Sequence, residues 1–363
     1  MIIGIDAGSL GIKDARLKVG TYQVAVNFLK QLKFIDNKNE YRLYSFSPIA
    51  ENLLEKFGSN VKNVVVRPKY GWRYIGLPLS FFINRVDIFL GLNQSLPLTS
   101  FSPSIVIVYD LAFEHFPERY PDSYKKMRAR TLLAVKRANK IIAISETTKK
   151  DLINLYGIQP ETVKVAHAAF DAGFFKPDKN KKAEKYFLFV GALKRIKNIP
   201  GLLRGFRYFL DNSKEEFKLF LVGGDFWLDP EIDKTINKLN LKKCVQKTGF
   251  VDQKSLLALY RGATAFVSPS FYEGFGIPLL EAAASGCPVI AGKNGAAKEI
   301  IGKAGILVDP QNKKSIGEAM LTVCRDEKQR REMIAEGLER AGKFSWDNFA
   351  KKVLEVIHEV GNC

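Results

Sequence analysis

Short apolar runs alternate with amphipathic stretches along nearly the whole chain. Met1–Asp6 is a β-branched run that ends in a small-residue loop, Ala7 to Gly11. From Thr21 to Lys33, Tyr22, Val26, Leu29 and Leu32 recur at helical spacing and share one face. Strands are predicted at Tyr41–Ser45, Asn63–Val66, Asp87–Leu90, Ile105–Val108 and Ile141–Ile144, with a helix over Arg128–Ala138. Ser145 is placed to cap a helix running through Leu155, with Thr148 three residues on. The polar stretch between Asp171 and Lys185 reads as a linker. The rhythm then restarts. Strands are expected at Tyr186–Val190, Lys218–Val222, Ala265–Ser268 and Pro288–Ala291. Helices are expected from Ile199, at Asp229–Leu239, Pro278–Ser285 and Lys314–Arg325. A last amphipathic stretch, Ser345 to Val360, aligns Phe349, Val353, Val356, Ile357 and Val360 on one stripe. Strands alternating with helices imply parallel sheets covered on both faces. The expected fold class is α/β, with two Rossmann-like doubly wound domains. They span 1–172 and 186–342, with a linker at 173–185 and a closing helix at 343–363.

Composition narrows this only modestly. The chain has 363 residues, 46% hydrophobic and 26% charged, which suits a globular protein with a sizeable core. Cys244, Cys287, Cys324 and Cys363 are scattered, so neither a disulfide framework nor a zinc site is suggested, and a cytoplasmic location is expected. The N-terminus lacks signal-peptide features, and no apolar span reaches the ~20 residues that cross a bilayer. The net charge is +18, with +10 in residues 1–177 (25 basic, 15 acidic) and +8 in the rest (31 basic, 23 acidic). Nucleic acid, an anionic membrane surface and a phosphate-rich small molecule are all compatible with that excess. The run from Lys69 to Tyr74, followed by Leu77 to Ile83, mixes basic and aromatic residues as membrane-surface segments do. It also reads as a buried helix behind a basic loop.

The candidate chemistry lies at strand ends. Ser268 closes a buried strand, and Glu273, Gly274, Phe275, Gly276, Ile277 and Pro278 lead into a helix carrying Glu281. Glycine there lets backbone amides approach a ligand, and a helix N-terminus favours an anion. The two carboxylates suit sugar or ribose hydroxyls better than phosphate. A second junction, Gly191 to Asn198, sets Lys194, Arg195 and Lys197 at a helix start, where their charge opposes the dipole unless an anion offsets it. Asn198 is expected to cap that helix. A third turn, Gly223-Gly224-Asp225, permits another close backbone approach. His115, His167 and His358 show no metal spacing, and there is no Asp-x-Asp triplet, so no metal is expected.

These runs resemble the retaining group 1 (GT4) glycosyltransferases of GT-B fold over almost the whole chain. Glu273 and Glu281 match the family's E-x7-E signature, and GALKRIKN its donor-phosphate loop. KTGFVDQ, with Phe250 and Val251, is similar to the segment lining the nucleobase. The resemblance implies two domains facing a cleft, an N-terminal acceptor domain, and a final helix packing back on it. It implies Glu281 on the ribose, with Glu273 and the Gly274, Phe275 and Gly276 amides on the donor sugar and diphosphate. Lys197 would neutralise the leaving group, with Gly20 meeting the phosphates from the N-terminal side. Tyr109 stands before Asp110 where relatives carry His-Asp, and Ile196 stands where an arginine is usual, leaving Arg195 as the nearest substitute. A phenol replaces a histidine's hydrogen bond but not a proton shuttle. The implied reaction moves a hexosyl group, mannosyl or glucosyl, from a UDP- or GDP-linked donor to a saccharide or lipid-linked saccharide with retention. No cofactor is needed, and the enzyme would work in the cytoplasm or at the inner membrane face. A nucleotide-sugar epimerase or hydrolase of the same fold is the alternative. A basic nucleic-acid-binding protein is a further one, lacking any RRM, KH or zinc pattern.

Overall fold

The computed structural model describes residues 1–12, 14, 20–68, 71–99, 102–178, 180–224 and 229–362. Lys69, Asp225 and Cys363, named above, lie outside the described residues. The chain forms two compact units. One holds residues 1–117, 121–169 and 345–363, and the other 118–120 and 170–344.

In the first unit, β1 (Ile2–Asp6), β2 (Glu40–Ser45), β3 (Val61–Val65), β4 (Ile88–Gly91), β5 (Ser104–Val108), β6 (Lys140–Ala143) and β7 (Val163–Val165) form a parallel sheet. Its order is β3-β2-β1-β4-β5-β6-β7, so the winding reverses between β1 and β4. All of β4 and β5 and most of β1 are buried, which is why they read as unbroken apolar runs. The helices are α1 (Thr21–Ile35), α2 (Glu51–Leu54), α3 (Leu77–Ile83), α4 (Ala112–His115), α5 (Tyr124–Arg137) and α6 (Glu146–Tyr156). Helix α5 starts four residues earlier than its apolar spacing suggests, because Tyr124, Lys125 and Lys126 wind into its exposed first turn. Ser145 caps α6 by accepting the Thr148 N–H at 3.0 Å, as expected from sequence.

The second unit holds β8 (Glu184–Val190), β9 (Lys218–Val222), β10 (Val245–Gly249), β11 (Ala263–Ser268), β12 (Val289–Gly292) and β13 (Gly305–Val308). They are parallel in the order β10-β9-β8-β11-β12-β13, with the winding reversed between β8 and β11. Around them lie α7 (Ile199–Ser213), α8 (Glu231–Lys238), α9 (Gln253–Gly262), α10 (Ile277–Ala284), α11 (Ala297–Ile301), α12 (Lys313–Arg325) and α13 (Glu327–Ala341). Phe187, Phe206, Phe209 and Phe217 form the aromatic centre of the core, with ring centroids 4.9–6.3 Å apart. The last helix, α14 (Trp346–Gly361), belongs to the first unit. It buries the stripe seen in the sequence, and Phe349 meets Phe28 of α1 edge-on at 6.0 Å.

Candidate active site

In the second unit the reversal point brings the C-terminal ends of β8 and β11 side by side, the position where doubly wound sheets bind ligands. The loops there are locked together by main chain. Phe271 donates to the Ile196 carbonyl at 2.9 Å, and Ala296 to the Glu273 carbonyl at 2.7 Å. Asn198 departs from the sequence expectation. Its side chain makes no capping bond to α7. Its φ is +56°, and its amide donates to the Pro269 and Pro310 carbonyls at 3.0 and 2.6 Å. An asparagine tolerates the left-handed region, and here it stands at the start of α7 with its side chain tying loops together instead of capping the helix.

Lys197 does not stand free at the start of α7. Its ammonium reaches both oxygens of Glu273, at 2.8 and 2.7 Å. Glu273 is buried, and its Oε1 also accepts the Ser270 hydroxyl at 2.6 Å. Residues 76 positions apart in sequence therefore form one unit: a cation, a carboxylate and a serine that orients it. The pair offsets the lysine charge that opposes the α7 dipole. Arg195 is exposed two residues earlier. Gly274, Phe275 and Gly276 follow Glu273 directly into α10, with Gly276 at φ +96°. Phe275 packs edge-on against Phe344 at 5.7 Å, so this loop is anchored from beneath.

Glu281 lies in α10 and does not touch Lys197. Its Oε2 accepts the Tyr260 hydroxyl at 3.1 Å. Burial pushes its carboxyl up to about 7; the tyrosine bond counters this and Asp171 adds to it. A carboxyl poised to titrate near neutrality is common where a ligand is to be bound. Gly191, Gly223 and Gly249 close adjacent strand ends. Gly191 donates to the Val222 carbonyl and Gly223 to that of Gly249, each at 2.9 Å. Gly224 accepts from Leu193 at 3.3 Å. Phe250 and Val251 follow Gly249, and the Phe250 ring is 54% exposed.

The remaining sequence candidates lie in the first unit. Gly20 precedes α1 with φ +43°. Tyr109 follows β5, and its hydroxyl donates to the Leu92 carbonyl at 2.7 Å. Burial, with the nearby Asp6 charge, raises its pKa well above the usual value, so it stays a neutral donor. Asp110 accepts the Ala112 N–H at 3.1 Å through Oδ1. His115 sits 3.0 Å from Asp151, which accounts for it structurally.

Sequence reasoning missed Ser270 and Tyr260, the direct partners of the two glutamates. It also missed Arg119, which stacks at 4.1 Å over Phe271 beside Ser270. The Ser268-Pro-Ser spacing before Glu273 was the available signal for Ser270. Among the described residues no group of acids, histidines and cysteines is arranged to hold a metal ion.

A paired-glutamate loop at the reversal point of a doubly wound sheet, in a chain of two such units, defines a GT-B glycosyltransferase architecture. The profile of the family described as "Glycosyl transferases group 1" matches residues 171–340. The O-antigen chain mannosyltransferase RfbU of Salmonella typhimurium is 30% identical over 351 residues, 92% of this chain and 94% of that protein. The O-antigen chain mannosyltransferase B of Escherichia coli is 27% identical over 272 residues, 72% of this chain and 71% of that one. Among solved structures, Anabaena Alr3699/HepE in complex with UDP and glucose superposes with a TM-score of 0.76 at 19% identity, covering 98% and 99% of the two chains. The chain belongs to the group 1 glycosyl transferases and is a glycosyltransferase.

Proposed function

We propose that the protein transfers a hexosyl group, mannosyl in preference to glucosyl, from a nucleotide diphosphate sugar to a saccharide hydroxyl with retention. The Lys197–Glu273 pair carries this reading. The relatives named above are mannosyltransferases of O-antigen chains, and the solved neighbour holds UDP and glucose. In the resting protein Glu273 occupies the lysine ammonium. A donor diphosphate would take over that cation and free Glu273 for the sugar hydroxyls. Glycosyl C1–O cleavage sends an electron pair to the departing diphosphate. A preorganised cation and backbone amides would stabilise that charge, with no metal ion required. Retention would follow from the leaving phosphate oxygen taking the acceptor proton on the face it departs from.

Glu281 supplies a test. Ribose hydroxyls donate more strongly to its ionised form, so nucleotide binding should release a proton. Affinity should strengthen about tenfold between pH 6 and pH 8 and then level off. Calorimetry with UDP and GDP reads this directly, and Glu281→Gln should bind more weakly with a flat pH profile. A steep profile surviving in Glu281→Gln would remove Glu281 from the ribose. The nucleotide-free protein has the opposite dependence. The raised carboxyl holds its proton more tightly when folded, so stability falls as pH rises from the ordinary 4.5 through about 7.

We further place the acceptor on a lipid at an anionic membrane face. Helix α3 buries Leu77 and Phe81 but leaves Leu79, Phe82 and Ile83 60%, 72% and 79% exposed. Tyr74 and Ile75 extend the patch. Residues 56–86 contain six basic residues and no acid, which suits anionic headgroups. No helix among the described residues is long and apolar enough to cross a membrane. The protein should sediment with anionic vesicles and not neutral ones. Leu79→Glu with Phe82→Glu should abolish this while sparing transfer to a water-soluble acceptor. Equal recovery in the supernatant with both lipids would favour a soluble acceptor.

A further inference from the structure

The first unit contains a second charged cluster that the donor chemistry does not use. At its own reversal point, Asp6 ends β1 and Asn93 follows β4. The Asn93 amide donates to Asp6 Oδ1 at 2.9 Å, and the Gly8 N–H to the same oxygen at 3.1 Å. Arg73 comes in from the π turn that precedes α3, with a guanidinium nitrogen 3.6 Å from Asp6 Oδ2. That is an ion pair but too long for a good hydrogen bond. Arg130 arrives from α5. The next residue, Thr131, is buried and accepts the Gln94 amide at 3.1 Å, which fixes that turn of the helix beside the β4 loop. Gln94 also accepts the Tyr109 N–H at 3.1 Å, tying the same loop to the end of β5.

Arg73 thus pairs with the carboxylate, and Arg130 lies close enough to feel the charge of both. The Nε atoms of Arg73 and Arg130 are both buried and have no hydrogen-bond acceptor among the described residues. On the two loops that carry Asp6 and Asn93, the buried Ser9 and Ser95 hydroxyls also lack partners among the described residues. Burial and the neighbouring Arg73 charge hold the Arg130 pKa below its ordinary value, while Asp6 opposes this. Buried donors on cationic groups are costly when left unmade, and guanidinium forks are matched to planar or tetrahedral oxyanions. We propose that Arg73 and Arg130 form an oxyanion subsite that receives a phosphate or carboxylate group carried by the acceptor. This assignment rests on the reading of the first unit as the acceptor's side of a glycosyltransferase. Lys125, Lys126 and Arg128 of α5 are exposed, whereas Arg130 is half-buried and its Nε is buried.

The test is calorimetric titration of the full chain with inorganic phosphate, with glucuronate and with glucose, in the presence of saturating nucleoside diphosphate. Phosphate or glucuronate should bind and glucose should not; the tighter of the two anions identifies the source chemistry. Arg130→Gln and Arg73→Gln should each weaken that binding by about tenfold or more, and Arg130→Lys should restore part of it. Both Gln variants should bind the nucleotide as the parent does. The anion-free Arg130→Gln protein should keep its Tm to within a few degrees, because the Nε it loses is buried without an acceptor among the described residues; a purely structural arginine would lower it further. Anion binding that disappears at saturating nucleotide, or that is unchanged in both Gln variants, would overturn the proposal. Loss of nucleotide binding in the parent would instead count against the donor reading and leave the arginine result intact.

Discussion

Replacing Lys197 with alanine should lower kcat/KM by about 10²- to 10³-fold, equivalent to some 3–4 kcal/mol of transition-state stabilisation. The lysine is the fixed cation at the reversal point of the second sheet, and no metal-binding cluster stands beside it among the described residues. The loss should fall mainly on kcat, since charge builds on the leaving diphosphate only as the glycosidic bond breaks. The ion pair complicates a single substitution. Glu273 has its Ser270 bond and is buried, so losing its cation strands a carboxylate and costs stability as well. Glu273→Gln separates the two effects by keeping the shape and removing the charge. The double variant Lys197→Ala, Glu273→Gln should recover stability without recovering activity. Activity of Lys197→Ala within about threefold of the parent would remove the lysine from its role.

Gly223→Ala should cost the second unit about 2–5 kcal/mol. A Cβ there would lie 2.0 Å from the Gly191 carbonyl oxygen, and the obstacle is main chain of the neighbouring strand end. The residue also sits at φ +146°, a region that side chains rarely adopt. Overpacking and backbone strain each cost about 1–3 kcal/mol, and neither can relax without parting the ends of β8 and β9. Thermal unfolding should show a Tm lower by about 5–15 °C. Gly249→Ala is the control. Its φ is +70°, but nothing lies within 4 Å of the added carbon, so only the left-handed penalty of about 1–2 kcal/mol applies. Equal Tm values for the two variants would show that the contact between strand ends is not the constraint.

The alternation of strand and helix was legible because buried parallel strands are unbroken apolar runs. The stripe of α14 was equally plain, since five residues at helical spacing have no other reason to be apolar. Elements that lack such a pattern escaped. Strand β10 is an edge strand whose residues are mostly solvent-facing, and α13 is so charged that only Met333, Gly337 and Ala341 are buried. Its signal was capping instead, with Asp326 accepting the Gln329 N–H at 2.8 Å.

At the site, the glutamates and the lysine were visible as residues but their pairing was not. Local spacing cannot report that the loops after β8 and β11 converge, because strand order is a property of the sheet. The same holds for Tyr260, 21 positions before the carboxyl it serves, and for Asp6, Arg73 and Arg130. Asn198 misled because asparagine has two common uses near helix starts. The loop geometry chose the left-handed one.

We propose that Lys197 and Glu273 serve hexosyl transfer from a nucleotide diphosphate sugar without a metal ion. The direct measurement incubates the protein with labelled GDP-mannose and UDP-glucose, a saccharide acceptor and excess EDTA, and determines the product's anomeric configuration. A glycoside with the donor's configuration, formed from GDP-mannose in preference to UDP-glucose and undiminished by EDTA, is the predicted result. Free sugar alone, an inverted product, or activity that returns only with Mg²⁺ or Mn²⁺ would contradict it.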